Sequence, residues 1–127
     1  MSPIRPNSQT VVLIVEDESL IRMLGVDILE DAGFTVLEAA NGLQALAALN
    51  THPEIDVMFT DINMPGRLDG LELAARVREE HPHIGVLIAS GKVRPSQDEL
   101  PRGSCFLAKP WASDEVVRTI QGLVRTA

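Results

Sequence analysis

Val11-Val12-Leu13-Ile14-Val15-Glu16-Asp17-Glu18 runs five apolar residues, four of them β-branched, straight into three acids. Branching at Cβ favours extended backbone, and a short apolar run without polar alternation suits a strand covered on both faces. Strands of that kind occur in parallel sheets flanked by helices. The stretch therefore predicts an α/β fold with carboxylates placed at a strand tip.

Outward from it, segments 34–39, 55–60, 84–89 and Ser104–Ala108 are also short, mostly apolar and rich in β-branched residues, giving five candidate strands. Helical patterns fill the gaps. Leu20, Leu24 and Ile28, joined by Ile21 and Leu29, are expected to form one inward helix face, ended by Gly33 in a left-handed cap. Asn41 is expected to cap a helix carrying Leu43, Leu46 and Leu49. Leu71, Ala74 and Val77 outline a third helix, closed by His81 and Pro82, and Ser113 is placed to cap a last one with Val116, Val117, Ile120, Leu123 and Val124 inward. Strict alternation of strand and helix implies right-handed crossovers and a flavodoxin-like, doubly wound five-stranded parallel sheet of order 2-1-3-4-5. Between residues 92 and 103, Pro95 and Pro101 bracket too little chain for a full helix, so a shortened fourth helix of one or two turns is expected.

The 127 residues, 45% of them hydrophobic, suffice for one core. A single domain over 11–127 is expected, after a flexible tail at 1–10 that holds Pro3, Arg5 and Pro6. A net charge of −7 opposes direct contact with nucleic-acid phosphates. No apolar run approaches the roughly 18 residues of a membrane span, and none resembles a secretory signal, so a cytoplasmic location is expected. Cys105, the one cysteine, reads as a buried structural residue, and His52, His81 and His83 read as exposed turn residues without a metal-ligand pattern.

In such a fold, ligands sit beyond the carboxyl ends of the strands, where strand order reverses. Glu16 and Asp17 follow the first strand and Asp61 the third, so three carboxylates from distant parts of the chain should converge. Two carboxylates ~5 Å apart repel by about 3 kcal/mol at an effective dielectric near 20, so the cluster calls for a cation. All-oxygen ligands suit Mg2+, which keeps coordination positions free for phosphoryl oxygens. Ser90 after the fourth strand offers a hydroxyl donor, and Lys109 after the fifth, held extended before Pro110, offers positive charge. An acid nucleophile, a cation and two donors suit phosphoryl transfer, in which positioning and charge stabilisation dominate.

From Val11 onward the chain resembles the bacterial response-regulator receiver family of two-component systems. The resemblance rests on Val-Glu-Asp-Glu at 15–18, Thr-Asp-Ile-Asn-Met-Pro-Gly at 60–66, Ala-Ser-Gly at 89–91 and Phe-Leu-Ala-Lys-Pro at 106–110. It implies that Asp61 is the phosphoacceptor, that Asp17 and Asp61 ligate Mg2+ directly, that Glu16 acts through water, and that the Asn63 carbonyl completes the protein ligands. It further implies that Ser90 and Lys109 sense the phosphoryl group and that Ser90 and Phe106 form a switch pair. A histidine kinase or a histidine phosphotransfer protein would be the phosphodonor. The only catalysis expected is magnesium-dependent phosphorylation and dephosphorylation of the chain itself, in a monomer or weak homodimer.

The chain departs from the family pattern by one extra residue within 64–70 and by the short stretch between Ser90 and Lys109, which alters the face most receivers use for output. The similarity is greatest to receivers that stand alone or accompany hybrid kinases. Two other readings compete. A phosphatase acting on external esters would need a second acid near Asp61, but Asn63 occupies the position two residues on. A contact-only module would have no use for the complete acidic set.

Overall fold

The computed structural model describes residues 6–64, 68–91, 95, 99–109 and 112–126. The elements alternate as β1 (Val11–Val15), α1 (Ser19–Asp31), β2 (Thr35–Ala39), α2 (Gly42–Thr51), β3 (Val57–Asp61), α3 (Gly70–Glu80), β4 (Gly85–Ser90), β5 (Ser104–Ala108) and α4 (Ser113–Thr126). All strand pairs are parallel, in the order β2-β1-β3-β4-β5, as the sequence predicts.

Burial explains why the strands lack polar alternation. Leu13, Val15, Met58, Val86 and Ile88 face a core shared with α2 and α3, through Leu46, Leu49, Leu73 and Val77. Their neighbours Val12, Ile14, Val57, Phe59 and Leu87 face a second core with α1 and α4, through Leu29, Val116, Ile120 and Leu123. Both faces of the central strands are thus dry, and alternate residues serve opposite layers.

Several local expectations hold. Gly33 takes φ +98 beyond α1, and Phe34 N–H donates to the Leu29 carbonyl at 3.1 Å, closing the helix. Asn41 caps α2 by accepting from Gln44 N–H at 2.8 Å. His81 ends α3, its N–H donating to the Val77 carbonyl at 2.7 Å.

Other expectations need correction. Leu20 and Leu24, expected to face inward, are 68% and 57% exposed, and α1 instead buries Gly25 and Leu29. A Cβ on Gly25 would collide with Ile14 Cδ1, so the helix lies on β1 by its smallest residue. α2 behaves similarly: Leu43 is 63% exposed while Gly42, Ala45 and Leu46 are buried. Apolar periodicity selected the larger side chains, whereas close helix packing selected the smaller ones.

Ser113 lies within α4 rather than before it, and the Ala112 carbonyl accepts from Val116 N–H at 3.1 Å. Cys105 is half-buried, and burial pushes its thiol pKa up. A single 3-10 turn spans Asn7–Gln9. Asn7 Nδ2 donates to the Ala32 carbonyl at 2.7 Å, and its Oδ1 accepts from Gln121 at 3.0 Å, joining the ends of α1 and α4.

No helix among the described residues separates β4 from β5; most of the expected short helix, the extra residue of the 64–70 loop and Pro110 lie outside them. The start of β5 is anchored by Arg78 of α3. Its guanidinium donates to the carbonyls of Arg102, Pro82 and Ile84 at 3.0, 3.1 and 2.9 Å. No described helix is long and apolar enough to cross a membrane.

Candidate functional site

The sheet gathers the candidate residues because β1, β3, β4 and β5 run in the same direction and end at nearly the same height. Val15 is level with Thr60, Asp61 with Ala89, and Ser90 with Ala108. Whatever follows each strand therefore meets at one rim. The reversal of strand order between β1 and β3 opens the crevice at that rim.

Glu16, Asp17 and Asp61 each place a carboxylate oxygen within 4.8 Å of the others. Glu16 is 5% exposed, Asp61 is half-buried and Asp17 is open to solvent. Lys109 reaches in from the end of β5, with Nζ at 3.4 Å from Asp61 Oδ2 and 3.5 Å from Glu16 Oε1. One ammonium is thus shared by two of three acids. Its backbone is fixed as well, since Lys109 N–H donates to the Ser90 carbonyl at 2.9 Å.

Burial pushes the Glu16 carboxyl above its ordinary range, assisted by the neighbouring Asp17 and the charge of Asp61. The Glu18 N–H at 3.2 Å and Lys109 pull the other way without cancelling the rise. The folded protein therefore holds the Glu16 proton more tightly than the unfolded chain does. Stability due to this group is present below the ordinary value of 4.5 and is lost as pH rises through the raised value. Glu16→Gln is expected to melt above the parent in metal-free buffer at neutral pH, with the gap closing below pH 4.5. Thermal melts across that range check this; a gap that persists at low pH would show a different cause.

The excess of negative charge is itself a test of whether the residues fit a divalent cation. Three oxygen donors, one of them raised in pKa by burial first and by its acidic neighbours second, are compensated by a single amine among the described residues. A hard cation that prefers oxygen fits this donor set.

The remaining candidates sit around the cluster. Ser90 ends β4 beside Asp61 and is 1% exposed. Asn63 stands exposed two residues beyond Asp61. Phe106, on β5 opposite Ile88, is half-buried against the core on the α2 and α3 side.

Three residues around the site were given no role in the sequence reading. Thr60 is buried and its hydroxyl donates to the Asp61 carbonyl at 3.0 Å. Gly70 opens α3 against the backbone of Asp61 and Ile62, where a Cβ would lie 2.6 Å from Ile62 Cα. Arg22 donates from Nη1 to the Glu16 carbonyl at 2.7 Å and from Nε to Glu38 Oε1 at 3.1 Å. Arg22 left a trace in the sequence, as the one Lys or Arg between positions 6 and 66. A small, mostly apolar hollow lies beneath the acids, lined in part by Ile14, Ile21, Gly25, Phe59 and the stem of Lys109.

Comparison with known proteins agrees with this architecture. The model of the response regulator receiver domain matches residues 12–121. The sensor kinase CckA of Brucella abortus (strain 2308) is 34% identical over 122 residues, which are 93% of this chain and 13% of that protein. The response regulator receiver protein CpdR of the same organism is 32% identical over 120 residues, covering 91% of this chain and 98% of CpdR. Among solved structures, a response regulator receiver domain protein from Clostridium thermocellum superposes with a TM-score of 0.83 at 26% identity, over 92% of this chain and 95% of that one.

Proposed function

The chain belongs to the response regulator receiver domain family, and from that membership we propose that Asp61 accepts a phosphoryl group from the phosphohistidine of a histidine kinase or histidine phosphotransfer protein. The observation that supports this most is the meeting of Glu16, Asp17 and Asp61 within 4.8 Å, with Lys109 in contact with two of them.

In the proposed step an Asp61 oxygen attacks phosphorus and the bond from phosphorus to the donor nitrogen breaks. The donor ring, protonated at its far nitrogen, leaves as neutral imidazole with the electron pair of that bond. A mixed anhydride on Asp61 results. Lys109 stands where it can offset charge on the phosphoryl oxygens, and its contact with Asp61 would loosen as those oxygens take over the ammonium. Glu16, Asp17, Asp61 and the Asn63 carbonyl are the groups that would hold Mg2+, whose contribution when bound is neutralisation of carboxylate and phosphoryl charge. The chemistry is confined to the aspartate of the chain itself.

The signalling step is proposed to run through Ser90 and Phe106. Ser90 ends the strand next to Asp61, and Phe106 lies one strand further out. A hydroxyl drawn toward a new phosphoryl group would vacate space that the aromatic ring can enter, changing the surface seen by a protein partner.

Incubation with acetyl phosphate and Mg2+, followed by intact-mass measurement, is expected to show the gain of one phosphoryl group, and chelation of the metal is expected to prevent it. An unmodified protein under these conditions would overturn the proposal. A companion result is expected in thermal unfolding: Mg2+ at a hundredfold excess over its Kd should add about 2.7 kcal/mol, because the ion binds only the folded cluster. No rise in melting temperature over a millimolar titration would argue against a cation site.

A further inference from the structure

Between positions 6 and 66 the chain has no Lys or Arg other than Arg22, although acids recur throughout that span. The solitary base stands in the first turn of α1, where the helix dipole disfavours a cation. Its surroundings explain the placement. Nη1 donates to the backbone carbonyl of Glu16 at 2.7 Å, while Nε is held by Glu38 of β2 at 3.1 Å. The side chain of Arg22 is 20% exposed against 53% for Glu38, so the guanidinium is the sheltered member of the pair. Glu16 N–H, on the other side of the same residue, donates to the Ala39 carbonyl at 3.1 Å. The backbone of Glu16 is thereby tied to the end of β2 at both its donor and its acceptor, once directly and once through Arg22.

We propose that Arg22 is a positioning residue: anchored by Glu38, it fixes the turn after β1 that presents the Glu16 and Asp17 carboxylates to a divalent cation. This rests on the receiver reading given above. Arg22 is itself a cation and hydrogen-bonds to Glu16 at the backbone carbonyl, so a positioning effect on the site would pass through the geometry of the turn. Its planar fork can donate to two acceptors in fixed directions at once, which a lysine ammonium cannot reproduce.

Charge and geometry predict opposite outcomes here, which makes the idea testable by sign. If Arg22 acted only as a nearby positive charge, removing it would deepen the negative potential and tighten metal binding. If it positions the turn, removing it scatters the carboxylates and weakens binding, as happens when groups that orient metal ligands are lost.

Calorimetric titration of the full chain with MgCl2 decides between them, using the parent, Arg22→Ala and Arg22→Lys, each checked for folding by circular dichroism. Arg22→Ala is expected to weaken Mg2+ binding about tenfold or more. Arg22→Lys, which keeps the charge but not the fork, should fall between. Phosphoryl uptake from acetyl phosphate at saturating Mg2+ should stay close to the parent rate, so that the metal dependence moves and the limiting rate does not. Unchanged or tighter binding in folded Arg22→Ala would overturn the proposal. Should that variant not fold, Arg22→Lys carries the decision, and a Kd equal to the parent value would overturn it. A parent protein that binds no Mg2+ would remove the phosphoacceptor proposal and this inference together, whereas a binding parent with an indifferent Arg22 would remove only the latter.

Discussion

Asp61→Asn is expected to take up no phosphoryl group from acetyl phosphate or from a phosphorylated kinase, and at the same time to unfold at a higher temperature in metal-free buffer. The loss follows from chemistry: a carboxamide offers no anionic oxygen to attack phosphorus and no charge for a metal ligand. The gain follows from the crowding of the acids. With carboxylate oxygens within 4.8 Å of one another, Asp61 is repelled by both Glu16 and Asp17 and attracted by Lys109 at 3.4 Å. At an effective dielectric near 20, each repulsion amounts to about 3 kcal/mol and the attraction to about 5 kcal/mol, before solvent screening of the exposed Asp17. The balance favours removal of the charge by about 1 kcal/mol. Lys109 keeps Glu16 as a partner at 3.5 Å, so no cation is stranded. Intact mass and a pair of thermal melts check both halves. A phosphorylated Asp61→Asn protein would place the acceptor elsewhere, and a lower melting temperature would mean that Lys109 holds the cluster together more strongly than the acids push it apart.

Gly70→Ala is expected to be the most damaging Gly→Ala change among the described glycines. The added carbon would meet the Asp61 carbonyl oxygen, and it would stand 2.6 Å from Ile62 Cα and 2.7 Å from the Asp61 carbonyl carbon. These are backbone atoms at the end of β3 and of the residue after it, and they cannot turn aside as a side chain would. Gly70 N–H also donates to the Ile62 carbonyl at 2.8 Å, so α3 cannot retreat without giving up that bond. Overpacking against a fixed backbone should cost about 3 kcal/mol, lowering the melting temperature by on the order of 10 °C. Because the strain falls on the peptide that carries Asp61, phosphoryl uptake should slow even in the molecules that remain folded. Denaturant unfolding and uptake rates measured on the same sample test both claims. A melting temperature within a degree or two of the parent would show that α3 can shift its start at little cost.

The strands and their convergent tips were legible because they depend on local chemistry. The β-branched runs fix extended backbone, the absence of polar alternation fixes a parallel sheet, and a parallel sheet brings Glu16, Asp17, Asp61, Ser90 and Lys109 to one rim. The helix faces were less legible. Leu20, Leu24 and Leu43 carry the periodicity that hydrophobic counting rewards, yet the buried positions include Gly25, Gly42 and Ala45. Close approach of a helix to a sheet favours absence of bulk, and absence leaves no mark in a hydrophobic pattern. The supports of the site were hidden for a related reason. Arg22, Thr60 and Gly70 act through backbone carbonyls or through what they lack, and both depend on tertiary neighbours distant in sequence.

The shared direction of the five strands divides the molecule into two poles. Strands of five or six residues span roughly 17 Å, so the carboxylates at one rim stand well beyond a Debye length of about 8 Å from the opposite rim. At that far rim Arg78 clasps the carbonyls of Pro82 and Ile84, and His81 lies 6.2 Å from His83. Ionic substitutions there are separated from the acids by distance and by the screening of the surrounding solvent. That end of the domain is consequently free to drift in charge over evolution, acquiring new surroundings while the reactive end stays as it is.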